Sequence, residues 1–491
     1  MIVSLPAELW LHIATFTTED DLPTLTRINK LFHEFAMNER YRQVDLTNPN
    51  PHVFWNTVQM LQSSSVANRV RVLNVHPRAL WAGLNPPPLR QPKLTRRQVL
   101  IEKYRKFITR MRTKELTSNI KSPYPKEIYP LFMDSLVNLN RILECRIVWG
   151  HGMHLPHIPQ RTLSWSTPLL DIFTSTNIGD TLKTLSIDAP VLRFKDVTVN
   201  TNPPFTHLNE LQLTFHPPND VYTMFNILPP FIKGVSSTLT ILSITTRVHI
   251  SVSSLLLTLG RFPQLKKLSL RLSEDFKRTS NTSGIRRFLQ NNRTIEDLSL
   301  LYDYCCNMHR RHREYTIIGN DHAHVCSDDI ELPHLHSLEY NPRLLQMSQT
   351  NFLNDLCCVN KNLTSLTLVD CNLMYKEVQT LLRGFGRLKT LSLVVHTLSP
   401  GLIALVASNC PLLVRLTITA QIVNSRRNAV RDDGDGFITG MMNRKGLPIY
   451  IKWQLEHITI LRWIYGVGKR PISSYMKAVG EVAPMIRDKT D

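Results

Sequence analysis

The chain has 491 residues, 42% hydrophobic and 20% charged, a balance that describes a folded protein and excludes a disordered one. With 58 Lys and Arg against 39 Asp and Glu, its formal net charge is +19, which favours acidic partners such as nucleic acid, acidic protein segments or phosphorylated peptides. No apolar run reaches the roughly 18 residues of a membrane span, and the cysteines, among them the adjacent pairs Cys305-Cys306 and Cys357-Cys358, show no spaced framework. They read as free thiols of a reducing compartment, cytosol or nucleus.

The first element is SLPAELWLHIATF, residues 4–16. Pro6 suits a helix's first turn, Glu8 lies near the positive end of the dipole, and Leu5, Leu9, Ile13 and Phe16 recur at helical spacing. Thr18 with Asp21 then forms a capping signal, and Leu22, Leu25 and Ile28 line the next short helix; Leu31, Phe32 and Phe35 resume an apolar face. Three helices in about 40 residues lie near the lower limit of a self-sufficient domain, so this module is expected to bury its face against a neighbour or a partner. Residues 1–46 carry an acidic excess while residues 78–126 are strongly basic, so the first module is electrostatically distinct.

Residues 4–46 resemble an F-box. The pattern is carried by Leu5, Pro6, Glu8, Leu9, Ile13, Asp21, Leu22, Leu25, Ile28 and Phe32, with departures at Asn29, where cysteine is common, and Pro23, where leucine is usual. The resemblance implies docking to the Skp-type adaptor of a cullin-based ubiquitin ligase, with Leu5, Pro6, Leu9, Ile13, Leu22, Leu25, Ile28 and Phe32 at that interface or supporting it. The alternative is a helical cap that seals the end of a repeat array.

Repeats follow. LTSLTLVDCNL, residues 363–373, fits L-x-x-L-x-L-x-x-N/C-x-L at each fixed position. The first half of that pattern recurs at Leu182, Leu208, Leu239, Leu265, Ile295, Leu335, Leu388, Leu413 and Leu455, mostly at the spacing of a leucine-rich repeat. VRVLNV from Val70 and LVNLNRILEC near Leu139 are weaker candidates. Helices are expected between cores: Ser399 and Pro400 open one that stops at Pro411, and residues 253–263 end at Gly260 and Pro263 in the same way. The chain thus resembles F-box/leucine-rich-repeat proteins over nearly its whole length. The implied fold is α/β: a three-helix F-box (1–46), first weak repeats with a basic helical insertion (47–180), a leucine-rich-repeat solenoid (181–470) with parallel strands on the concave face and helices on the convex face, and a C-terminal cap or tail (471–491).

Strand alternation gives the repeats a functional surface. The second and third leucines of each core face inward, so the residue between them faces the concave side. That position reads Ser186, Gln212, Ser243, Ser269, Ser299, Glu339, Thr367, Ser392, Thr417 and Thr459, a small hydroxyl ladder that would let a partner approach closely; Ser and Thr also simply tolerate parallel-strand spacing. Selectivity is then expected from flanking Glu210, Lys267, Arg271, Asp297, Arg415 and His457, whose mixed signs fix no ligand class.

Other motifs are weaker. Residues 95–116 form a basic amphipathic helix that could bind phosphates or an anionic surface, though a solvated face is the simpler reading. The Cys- and His-rich stretch 305–326 could hold zinc but lacks a complete ligand pairing. RDDGDGF, residues 431–437, lacks calcium-loop spacing, and GVGKR, residues 466–470, lacks a P-loop's Ser or Thr. No catalytic constellation and no cofactor requirement emerge. The expected partners are the adaptor, through it a cullin, and a protein target held near the charged enzyme by proximity; nucleic acid and membrane are not expected.

Overall fold

A computed structural model describes residues 9, 12, 16, 30–48, 50–84, 128–149, 172, 178–194, 205–216, 222–247, 252–273, 283–303, 331–341, 362–369, 371–423, 435–464 and 468–483. The chain divides into two compact units, Met1–Ala189 with Arg193–Leu208, and Pro190–Leu192 with Asn209–Asp491.

In the first unit the described strands are β1 (Gln43–Leu46), β2 (Val72–Val75), β3 (Glu144–Val148) and β4 (Thr184–Pro190). Each pairs in parallel with the next. Helix Pro51–Leu61 opens where sequence signals put a start: Pro51 sits in the first turn and the Asn50 side chain accepts the His52 N–H at 3.0 Å. Its Phe54, Val58 and Leu61 are buried with Leu73, Val75, Phe132 and Leu136. The Phe54 and Phe132 rings lie 5.6 Å apart.

Helix Lys30–Arg40 is tied to the first repeat through Arg69. Phe32 is buried, and the Arg69 guanidinium donates to the Glu34 carboxylate, the Glu34 carbonyl and the Asn38 side chain. The hydrogen bond and charge of Arg69 hold the Glu34 carboxyl below its ordinary value. The contact therefore contributes at neutral pH and is lost as pH falls through that lowered value.

In the second unit the described strands are β5 (Glu210–His216), β6 (Ile241–Thr246), β7 (Lys267–Ser273), β8 (Asp297–Asp303), β9 (Ser337–Tyr340), β10 (Ser365–Leu368), β11 (Thr390–Leu398), β12 (Arg415–Val423), β13 (His457–Ile464) and β14 (Gly468–Pro471). From β5 to β13 each strand pairs in parallel with its successor. β14 folds back antiparallel onto β13, and helix Ser473–Val482 follows, with Tyr475 stacked on Phe437 at 4.6 Å. Strand, turn and helix succeed one another in the order that the leucine spacing predicts, and the repeat leucines fill the interior: Leu242, Leu268, Leu366, Leu391 and Leu416 are all at most 1% exposed. This is leucine-rich-repeat architecture.

A recurrent bond sets the register. The carbonyl just before each of the strands β1–β3 and β5–β12 accepts two successive N–H groups from the next repeat. Thr240 O takes Lys266 and Lys267, Lys266 O takes Glu296 and Asp297, Thr364 O takes Lys389 and Thr390, and Lys389 O takes Val414 and Arg415, all at 2.7–3.0 Å. In the first unit Arg42 O serves Arg71 and Val72, and Arg71 O serves Leu143 and Glu144, in the same way.

Two findings depart from the expected layout. Gln43–Leu46, expected to close the first helical module, is a strand whose Val44 and Leu46 are buried. The weak repeat near Leu139 has its core at Ile142, Cys145 and Ile147, so cysteine replaces a repeat leucine there. Gly468–Pro471 is extended strand. The helices of Ser399–Pro411 and Ser253–Pro263 form as anticipated. Helix Pro400–Asn409 is capped by the Ser399 hydroxyl, which accepts the Leu402 N–H at 3.2 Å, and helix Val252–Leu259 ends at Gly260 with a positive φ of 78°.

The tightest helix contact rests on Gly284. Its N–H donates to the buried Ser253 hydroxyl at 2.9 Å, and a Cβ there would stand 1.8 Å from the Ser253 carbonyl oxygen. Gly284→Ala is expected to destabilise the second unit by about 1–3 kcal/mol through overpacking, read as a lowered urea midpoint; an unchanged midpoint would contradict this packing.

Candidate functional site

The strand face opposite the helices is where the described residues offer polar side chains in ordered rows. In the second unit the register aligns Glu210, Ile241, Lys267, Asp297, Ser337, Ser365, Thr390, Arg415 and His457 across β5–β13. Five of the six flanking residues singled out from sequence thus share one row. Arg271 lies four positions further along β7, beside Leu301 of β8. The neighbouring row is the hydroxyl ladder itself, from Gln212 and Ser243 to Thr417 and Thr459.

Carboxylates concentrate at the β5–β9 end. Gln212 Nε2 donates to Glu210 Oε1 at 2.7 Å, Asp297 pairs in register with Lys267, and the Ser299 hydroxyl donates to Glu339 at 2.7 Å. Toward β13 the charge changes. Arg415 and His457 lie side by side and exposed. On the hairpin that follows, the Lys469 ammonium sits 5.9 Å from the centre of the Trp463 ring, which is 38% exposed.

The first unit presents a face that leucine spacing alone did not disclose. Asp45, Asn74, Arg146 and Ser186 align across β1–β4. Asn74 and Gln43 both donate to the Asp45 carboxylate, and Arg146 donates to Glu144. Arg146 and Glu144 therefore offset one another, and Asp45 is engaged by neutral amides. The signal was present in the sequence: Tyr41, Val44 and Leu46 repeat the core spacing, but tyrosine in the leading position obscured it.

Of the residues that the F-box resemblance assigns to an adaptor, Leu9 lies in a helical segment and is 48% exposed, and Phe32 is buried. Leu5, Pro6, Ile13, Leu22, Leu25 and Ile28 lie outside the described residues. So do the basic segment 95–116 and the Cys- and His-rich stretch 305–326. Among the described residues no group of three or more His, Cys, Asp or Glu side chains could hold a metal ion. Among them, too, no helix is long and apolar enough to cross a membrane.

No family model matches the chain, and no curated protein is significantly similar to it. Among solved structures, the leucine-rich repeat-containing protein LegL7 from Legionella pneumophila aligns over 66% of this chain and 95% of its own, at 14% identity and a TM-score of 0.36. The fold class rests on the register and burial described above, not on that likeness.

The described cysteines Cys145, Cys371 and Cys410 are buried and none is in a disulfide. Burial pushes the Cys145 and Cys410 thiols up to about 12, so both stay protonated and face the core rather than the polar rows. Alkylation with iodoacetamide at mildly alkaline pH is expected to spare both in the folded chain and to label both after denaturation. Labelling of either in the native protein, read by peptide mass spectrometry, would contradict this placement.

Proposed function

We propose that the chain is the target-recognition subunit of a Skp–cullin–F-box ubiquitin ligase: its N-terminal module docks a Skp-type adaptor, and its repeats hold a protein target. The observation that carries the proposal is the Leu-Pro-x-Glu-Leu motif joined to a repeat stack. Leu9, the last leucine of that motif, leaves 48% of its surface in solvent, an arrangement suited to an apolar helix face that awaits another protein. The chain performs no chemistry in this scheme. It raises the effective concentration of a target near the ubiquitin-charged enzyme, which is sufficient to accelerate transfer.

Several features support the placement. Helix Lys30–Arg40 is clamped to the first repeat through Arg69, so an adaptor bound to the N-terminal module would be coupled to the repeats of the same unit. The hydroxyl-lined rows of the second unit offer small side chains to an approaching backbone, with charged residues beside them. The setting would be cytosol or nucleus, in keeping with described cysteines that form no disulfide.

Co-purification of the full chain with a Skp-type adaptor tests the reading. Wild type is expected to retain the adaptor, and a Leu9→Asp, Ile13→Asp variant with an unchanged far-ultraviolet circular dichroism spectrum is expected to lose it at least tenfold, because each charge replaces an apolar contact. Failure of the folded wild type to bind would leave the module as a cap of the repeat array. Steeply salt-dependent binding to nucleic acid would then become the leading alternative for a chain of charge +19.

A further inference from the structure

The geometry points to a docking site for an acidic peptide at the β11–β14 end of the second unit's open face, an inference that rests on the repeats being the target-binding part of the protein. Along the rows of β5–β9 carboxylates predominate: Glu210, Asp297 and Glu339, with Lys267 in register beside Asp297. From β11 onward the open-face residues, among those described, include no carboxylate. They are Ser, Thr, Val, Gln, Leu and Pro interleaved with His396, Arg415, His457, Trp463 and Lys469.

Geometry places these groups for one extended segment. Arg415 and His457 are direct neighbours on adjacent parallel strands, about 4.8 Å apart. Trp463 is six residues further along β13, about 20 Å away, and Lys469 is its cross-strand partner. Leu461 lies between them on the same side and is half-buried. An extended peptide of about six residues spans that distance. Two cationic ends, one of them beside the Trp463 ring, with the aliphatic Leu461 between them fit acidic residues flanking an apolar one.

His396 adds a third donor. Asn372 Nδ2 donates to Gln421 Oε1 at 3.0 Å and lies 3.1 Å from His396 Nδ1. With the amide nitrogen as donor to both, Nδ1 is the acceptor, so the imidazole in its neutral form carries its proton on Nε2. Each polar side chain at this end can thus offer a donor, and no carboxylate stands among the described open-face residues to attract a basic ligand. Nucleic acid fits less well: the cations are few, and the hydroxyls and aliphatic groups between them do not form a continuous basic track.

Fluorescence anisotropy with a labelled peptide, Glu-Asp-Glu-Leu-Asp-Glu, added to the full chain without adaptor tests the inference. Because no adaptor is present, failed adaptor capture leaves this result standing, and a failed peptide titration leaves the adaptor reading standing. The expected result is saturable binding that weakens with salt. It should fall at least tenfold in Arg415→Glu and in Lys469→Glu, while a Gln-for-acid version of the peptide binds at least tenfold more weakly. Should a charge reversal unfold the chain, Arg415→Gln and Lys469→Gln serve instead, and the peptide-induced change in tryptophan emission should vanish in Trp463→Phe. Absent binding, equal binding of the neutral peptide, or indifference to these substitutions overturns the site. Tighter binding of a single-stranded oligonucleotide that the same variants abolish overturns it in favour of nucleic acid.

Discussion

In front of each of the strands β1–β3 and β5–β12, one carbonyl accepts two N–H groups from the repeat that follows. A parallel strand has no hairpin partner to fix its register, and its backbone donors cannot be left unpaired beside a buried leucine without a penalty of about 1–3 kcal/mol each. The shared acceptor meets both needs. It locks the amide that enters the strand and the strand's own first amide onto the preceding repeat, and a slip by one residue would turn the leucines out and the hydroxyls in. Burial and hydrogen bonding therefore specify the same alignment, and the ordering of the outer rows is a consequence of both.

That alignment decides what the open face can offer. Five of the six residues chosen from sequence merely because they flank a hydroxyl prove to be a single row once the register is fixed, and neighbours in the row oppose or reinforce one another according to which repeats adjoin. Lys267 has an opposite charge beside it in Asp297; Arg415 beside His457 does not. In the first unit, Asp45, Asn74, Glu144 and Arg146 close upon themselves in local hydrogen bonds. Capacity for a charged partner is thus concentrated where opposite charges are lacking, which a list of charged positions does not show.

The repeats were legible because leucine spacing is a direct imprint of burial: Leu366, Leu368, Cys371 and Leu373 are all buried where the pattern puts them. What escaped did so for local physical reasons. The β1 repeat leads with Tyr41 and lies inside a segment whose order resembles an F-box, so two patterns competed for the same residues. At β3 a cysteine takes a leucine position, because a buried thiol behaves as a small hydrophobe. The antiparallel return at β14 has no leucine signature at all; it depends on cross-strand pairing that only register discloses. The charged row was half legible, its members named from alternation but their neighbours unknowable without alignment across repeats of unequal length.

Site-resolved hydrogen–deuterium exchange on the full chain tests most directly the claim that paired amides on a shared carbonyl hold the repeats in register. The amides of Lys266 and Lys267, of Lys389 and Thr390, and of Val414 and Arg415 should exchange slowly and at rates alike within each pair, opening only as the second unit unfolds. Exchange of either member at the rate of an unstructured peptide, while the strands around it stay protected, would show that register is set by leucine packing alone and would contradict the account.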